Sequence, residues 1–305
     1  EAGRYDLALV LGIELMRNVP GQTAAEHLGA AAWVGQEANE ARYLWPWMFS
    51  RVEEEYEKRH GIDRAHLRAI SENNFANGKR NPNAQTRGWA ITDEHLGEND
   101  EVNPRIEGRL RKSDCGQVTD GAAAIFLASR AYAEKWAKRR GIPLESVPRI
   151  KGWGHTTAPL MYQRKINDSK GQPYVFPFVR KAMMDALGRA GLADVYACDG
   201  VEVHDCFSIT EYMAIDHFGI TPPGESWRAI EDGTIALGGK VPVNASGGLI
   251  GTGHPVGATG VRMMLDSWRQ VTGNAGDYQI DGARNIATFN VGGSATTACS
   301  FVVGF

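Results

Sequence analysis

Residues 244–260 read NASGGLIGTGHPVGATG, from Asn244 to Gly260: six glycines in seventeen positions, one histidine at His254, and a helical pattern directly after. Backbone this rich in glycine can approach a ligand closely and present its N–H groups, and a helix start adds partial positive charge. A nucleotide phosphate loop is the ordinary reading of such a stretch. Here no lysine follows the glycines as G-x-x-x-x-G-K-[ST] requires, and no G-x-G-x-x-G stands between a strand and a helix. Glycine is the compositional outlier of the whole chain, 36 of 305 or about 12% against a usual share of roughly 7%. Part of that excess is concentrated at 247–260 and at Gly292-Gly293.

Strand and helix patterns alternate on both sides of this stretch. Tyr5–Gly12 (YDLALVLG) and Asp120–Ser129 (DGAAAIFLAS) are near-continuous apolar runs, as strands buried on both faces read. A helix follows at Arg130–Arg140 and stops at Gly141-Ile142-Pro143. Helical spacing over Phe178–Gly191 ends in a glycine signal, and Val201–Phe207 is a short strand. Ser208 followed by Glu211 forms a capping-box pattern, which predicts a helix from there to about Phe218. The helix after His254 runs to near Gly273, and Asn285–Gly292 and Ala298–Gly304 close the chain as strands. Such alternation predicts a layered α/β fold with helices covering sheet. Arg17–Arg109 differs, with Trp33, Trp45, Trp47 and Trp89, a charged helical stretch at Arg51–Arg59 and many Asn, Pro and Gly residues. It predicts an insertion of short helices and long connections. Gly3–Ala8 (GRYDLA) also echoes Gly282–Ala287 (GARNIA) at an offset of 279. If this is a repeat, the helix before Asn285 has its counterpart upstream of Glu1, and the sequence begins in the middle of a fold.

Composition excludes several classes. Thirty-three Lys+Arg against 36 Asp+Glu leave a net charge of −3, without the basic excess of a general nucleic-acid binder. With 43% hydrophobic and 23% charged residues the chain has the make-up of a globular protein. Four scattered cysteines (Cys115, Cys198, Cys206, Cys299) make neither a disulfide framework nor a zinc spacing, which points to reduced thiols and a cytoplasmic setting. No apolar run approaches the ~20 residues of a membrane span, and no signal peptide opens the chain. The final Val-Val-Gly-Phe is not a peroxisomal tripeptide.

Two further clusters carry chemistry. In His204-Asp205-Cys206-Phe207, residues two apart share a strand face, so His204 and Cys206 point into one site while Asp205 points away. An imidazole beside a thiol stabilises the thiolate and draws its pKa from about 8.5 towards neutrality. A buried cysteine beside a structural histidine gives the same pattern. Asn290-Val-Gly-Gly-Ser294 ends a strand with glycine N–H groups suited to an oxyanion hole, although Gly-Gly at a strand end is also an ordinary turn.

Taken in order, DGAAA, HDCF, NASGGLIGTGHPVGATG and NVGGS resemble the thiolase superfamily, specifically thiolases of the sterol carrier protein type. The resemblance runs from Gly3 to the C-terminus and includes Asn81-Pro82-Asn83-Ala84-Gln85. It implies an α/β fold, a thiolase-like α-β-α-β-α sandwich of two similar halves with an inserted loop domain. Residues 1–16 and 110–150 would belong to the N-terminal half, 17–109 to the loop domain over coenzyme A, and 151–305 to the C-terminal half. The implied activity is that of an acyl-CoA C-acyltransferase cleaving or forming 3-ketoacyl-CoA, in fatty-acid, branched-chain or sterol side-chain degradation. His254 would activate the nucleophilic cysteine and help bind the thioester oxygen. His204, where many thiolases carry an Asn, would help form the first oxyanion hole, and the Gly292 N–H would contribute to the second. Asn290 stands where other thiolases take the acid/base cysteine from Cys-x-Gly; sterol-carrier-type thiolases use the cysteine of HDCF instead, so the resemblance implies Cys206 as the acid/base. A cysteine acid with a pKa near 8 exchanges protons with an enolate more readily than a carboxylate does.

The family's nucleophilic cysteine is expected upstream of Glu1 and has no counterpart in these 305 residues, so an N-terminal segment of roughly a hundred residues is expected to be missing from this sequence. The resemblance further implies acyl-CoA as substrate without a tightly bound cofactor or metal, and a homodimer. Lys79, Arg80 and Arg87 are the candidate cations for coenzyme A phosphates. Three alternatives stay open: a retro-aldolase of the same superfamily with an OB-fold partner, a non-catalytic lipid carrier or scaffold, and a zinc hydrolase using His204, Cys206 and His254.

Overall fold

The computed structural model describes residues 3–305. Its elements run β1 (Leu7–Glu14), α1 (Gly21–Gly29), α2 (Leu44–His60), α3 (Arg64–Arg80), α4 (Asp93–Leu96), β2 (Arg105–Glu107), β3 (Leu110–Arg111) and β4 (Gly121–Ala128). They continue as α5 (Arg130–Arg140), β5 (Arg149–Thr157), α6 (Tyr162–Asp168), α7 (Pro177–Arg189), β6 (Gly200–Val203), α8 (Ser208–Phe218) and α9 (Ser226–Glu231). The last four are α10 (Gly248–Thr252), α11 (Val256–Val271), β7 (Asn285–Gly292) and β8 (Thr297–Gly304).

A four-stranded sheet in the order β5-β8-β7-β6 forms one layer, with only the β6–β7 pair parallel. Helix α7 covers β5 and β8 on one face. Helix α11 lies between this sheet and the antiparallel β1–β4 pair, touching β7 and β8 on one side and β1 and β4 on the other. This is the mixed, layered α/β arrangement expected from the alternating pattern. The echo between Gly3–Ala8 and Gly282–Ala287 also has a spatial form. Each segment leads into a strand (β1, β7) paired antiparallel with an eight-residue strand (β4, β8), and both pairs face α11.

The two pairs are not equally covered. Strands β5 and β6 flank β8 and β7, whereas both outer edges of β1–β4 are unpaired among the described residues. The face of β1–β4 away from α11 is apolar and open, with Leu9 55%, Ile13 60% and Phe126 70% exposed. The apolar run Tyr5–Gly12 thus contributes a strand as its pattern predicts, but in these residues that strand is buried on the α11 side alone.

Two local expectations are corrected. The 17–109 segment is not a set of short helices: α2 and α3 are seventeen residues each. Their apolar residues (Met48, Phe49, Val52, Tyr56 on α2; Leu67 and Ile70 on α3) enter the main core beside α8. The capping box at Ser208 does not form either. Phe207 is the N-cap and gives no side-chain cap. The Ser208 hydroxyl instead donates to Asp114 Oδ1 at 2.8 Å, and Glu211 accepts from Asn74 and Asn244. Every residue of α8 is buried, so its polar side chains serve tertiary partners rather than the helix end.

Candidate active site

Cys206, His204 and His254 line one cavity of about 760 Å³, together with Gly292 and Gly293 at the end of β7. Strand β6 stops at Val203, and a tight turn marked by the Asp205 N–H to Val203 carbonyl contact carries the next three residues. The alternation expected from the sequence persists through the turn: His204 and Cys206 face the cavity, and Asp205 is fully buried behind them. The glycine-rich stretch folds as the one-turn α10 and then delivers His254 immediately before α11. Segment 115–119 bonds to each of these stretches separately through its backbone. Gly116 N–H donates to the Cys206 carbonyl at 2.9 Å, and His254 N–H donates to the Gln117 carbonyl at 2.8 Å.

The two imidazoles meet edge to face, with centroids 5.1 Å apart and planes at 88°. Their polar partners assign opposite tautomers. Thr259 gives its hydroxyl hydrogen to the Pro255 carbonyl at 3.0 Å, so its oxygen accepts from His254 Nδ1–H at 2.8 Å. That leaves Nε2 of His254 with a lone pair, able to take a proton. On the other ring, the Asn290 amide nitrogen, which donates to Met263 Sδ at 3.0 Å, makes a long contact of 3.5 Å with Nδ1 of His204. An amide nitrogen can only donate, so Nδ1 accepts and Nε2 of His204 carries the hydrogen. One imidazole is thus set as acceptor and its neighbour as donor.

Burial keeps both rings neutral. It pushes His204 down to about 4, with the Arg262 guanidinium adding to the effect. His254 is held well below its ordinary value by burial, by His204 and by Arg262. Cys206 departs from the expectation of a thiolate drawn towards neutrality. Burial pushes its thiol up to about 12; the Thr210 hydroxyl, 3.6 Å from Sγ, works against this and the Asp205 carboxylate adds to it. A neutral imidazole offers no positive charge to a thiolate, so proximity alone does not lower the pKa. Cys206 rests as a protonated thiol.

Residues 163–304 match the family model described as thiolase C-terminal domain-like. An acetyl-CoA acetyltransferase of Methanothermobacter thermautotrophicus is 30% identical over 300 residues, covering 97% of this chain and 72% of that protein. The chain belongs to the thiolase superfamily. Sterol carrier protein 2 of Gallus gallus is 29% identical over 263 residues, 86% of this thiolase-superfamily chain but 46% of that relative, so the chain spans less than half of its length. Among solved structures, an Ltp2-ChsH2(DUF35) aldolase superposes with a TM-score of 0.75 at 19% identity, over 98% of this chain and 72% of that one, a likeness of fold.

The remaining residues of this thiolase-superfamily site are only partly legible in sequence. Lys79, Arg80 and Arg87 are exposed and none lines the cavity; the cations that do are Arg17 and Lys112. Cys115 also lines it, with its thiol on the Arg111 carbonyl at 3.3 Å and its pKa pushed well up by burial. The apolar wall comes from α1 and α2, through Ala24, Leu28, Leu44, Trp45 and Phe49, and nothing in their local pattern marks them for a site. His204, Cys206 and His254 do not make a metal-binding group, and no cluster of three or more His, Cys, Asp or Glu among the described residues does. No helix there is long and apolar enough to cross a membrane.

Proposed function

We propose that this protein is an acyl-CoA C-acyltransferase of the thiolase type, making or breaking the bond between the α and β carbons of a 3-ketoacyl thioester. The observation that carries the reading is the convergence of a protonated thiol at Cys206 with two neutral imidazoles of opposite tautomer, His204 and His254, beside Gly292. When the carbon–carbon bond breaks, its electron pair goes to the α carbon and is delocalised onto the thioester oxygen as an enolate. Cys206 Sγ–H gives its proton to that carbon, and in the reverse direction its thiolate removes it. His204 Nε2–H is the donor for the enolate oxygen, worth about 10²–10³ in rate for one such group. His254 Nε2 accepts the proton of an attacking thiol, and the imidazolium so formed then donates to the second oxyanion.

Coenzyme A enters as part of the substrate, with Arg17 and Lys112 at the cavity and Lys79, Arg80 and Arg87 on the surface as candidate phosphate partners. The apolar α1–α2 wall suits a bulky, branched or sterol-derived acyl group. Gly292 contributes the second oxyanion donor in this reading, and the protein works as a homodimer in the cytoplasm.

The half-reaction assigned to these residues is enolisation, which is measurable without carbon–carbon cleavage. Acyl-CoA incubated with the purified protein in D₂O exchanges its α protons, and the exchange is read by mass spectrometry. We expect exchange with the native protein and none with Cys206→Ala. Thiolysis of acetoacetyl-CoA and of a bulky 3-ketoacyl-CoA then completes the test. Cleavage of a β-hydroxyacyl-CoA, with 3-ketoacyl-CoA untouched, would instead assign the retro-aldolase activity, and an OB-fold partner would be sought. Absence of exchange on any acyl-CoA would leave the carrier or scaffold reading.

A further inference from the structure

Asp205 separates His204 from Cys206 in sequence and turns the opposite way, into a dry polar layer beneath the site. Its carboxylate accepts three hydrogen bonds. Leu249 N–H reaches Oδ1 at 2.6 Å, Ile250 N–H reaches Oδ2 at 3.0 Å, and the Asn74 amide of α3 reaches Oδ2 at 2.9 Å. Leu249 and Ile250 are the second and third residues of α10, the turn that hands the chain to His254. N–H groups in the first turn of a helix have no acceptor within that helix, and α10 is buried, so water does not serve them. The acceptor comes from the segment that carries the other two catalytic side chains.

The fit is close. Gly248, which opens α10, has a left-handed φ of 61°, and a Cβ at that position would collide with the Asp205 carboxylate. Asn74 also donates to Glu211 Oε2, as does Asn244, whose side-chain oxygen accepts the Val203 N–H at the end of β6. The carboxylate therefore joins β6, α3 and α10 at one point.

We propose that Asp205 is a positioning residue for the reaction: one side chain fixes α10, and through it His254, against the strand end that presents His204 and Cys206. Backbone bonds from segment 115–119 hold each catalytic stretch separately, whereas Asp205 is a direct side-chain tie between them. Mis-setting reacting groups by about 1 Å costs roughly 10²-fold in rate, so loss of this tie should act on turnover rather than on binding.

The inference rests on the proposed acid/base reading, and its test separates the two. In the whole protein, Asp205→Ala should lower kcat for α-proton exchange by about 10²-fold while KM for acyl-CoA stays within about twofold. Asp205→Asn keeps an oxygen for one N–H but turns an NH₂ towards another donor, and should fall about tenfold. Hydrogen–deuterium exchange should show the Leu249 and Ile250 amides losing protection in the alanine variant, and Cys206 should alkylate faster with iodoacetamide. Gly248→Ala, which keeps the charge but displaces it, should repeat the kcat-selective loss and serves if the Asp205 variants fold poorly. Unchanged amide protection and unchanged Cys206 alkylation would overturn the inference even if the native protein exchanges no α protons. A fall in kcat and KM together, in proportion to the folded fraction, would also overturn it.

Discussion

The imidazoles of His204 and His254 stand edge to face at 5.1 Å, one holding its proton on the nitrogen away from Asn290 and the other on the nitrogen facing Thr259. Burial and Arg262 keep both rings uncharged. Stability depends on that neutral state. His204 titrates near 4 in the folded chain against 6.5 ordinarily. Between those values the unfolded chain binds a proton that the folded ring refuses, so stability falls as pH drops from 6.5 towards 4. Asp205 and Glu202 run the other way: burial raises their folded values to about 6 and about 7, so their contribution is lost as pH rises through that range. A comparison of variants isolates the histidine. Between pH 7 and 5 the native protein should lose about 1–2 kcal/mol more stability than His204→Asn, by denaturant titration. Parallel curves would show that His204 is not held neutral.

Cys206 should behave as a hidden acid rather than as a reactive thiolate. With the thiol pushed up to about 12, its alkylation rate should climb steadily from pH 6 to pH 9, about tenfold per unit, with no plateau near neutrality. Peptide mapping after iodoacetamide treatment at each pH reads this directly. A plateau at pH 7 would mean that a charged imidazole pairs with the thiolate.

Helices α3 and α10 cross where Gly78 meets Gly251, and a Cβ on Gly78 would collide with the Gly251 carbonyl. Gly78→Ala must lift α10 away from α3. Overpacking of this kind costs about 1–3 kcal/mol, visible as a lower midpoint in thermal or denaturant unfolding. Because α10 leads into His254, α-proton exchange should fall further than the folded fraction does. A variant that is destabilised but fully active per folded molecule would show that the helix crossing does not set the histidine.

Coenzyme A binding distinguishes the two sets of cations. Lys112→Ala and Arg17→Ala, at the cavity, should each weaken binding about three- to tenfold by calorimetry, as loss of one partly exposed charged contact does. Replacing Lys79, Arg80 and Arg87 together, on the exposed surface, should change it less than twofold. The reverse result would put the nucleotide end of coenzyme A over the end of α3.

Several features are legible in the residue pattern alone. The limits of α5 and β7 agree with it to the residue, because an apolar run or helical spacing closed by glycine is a local signal. The HDCF and GHP stretches stand out by composition and spacing, and they do share one cavity. The Ser208–Glu211 pattern finds its helix, which runs Ser208–Phe218 as expected, but the capping box itself does not form, because a fully buried helix spends its polar side chains on partners distant in sequence, here Asp114, Asn74 and Asn244. The two long helices of 17–109 are obscured by charged residues that form tertiary ion pairs, such as Glu53 with Arg64 and Arg64 with Asp114.

Residue order and spacing suffice to find most strands and helices, since each depends on neighbours a few positions away, and the resemblance of four motifs points to the family and marks His204, Cys206 and His254, which line one cavity. Protonation states lie beyond that reach. Whether Cys206 is a thiol or a thiolate and which nitrogen of each histidine holds its hydrogen depend on burial and on Thr210, Arg262, Asn290 and Thr259. Those are distances across the folded chain, and only packing sets them.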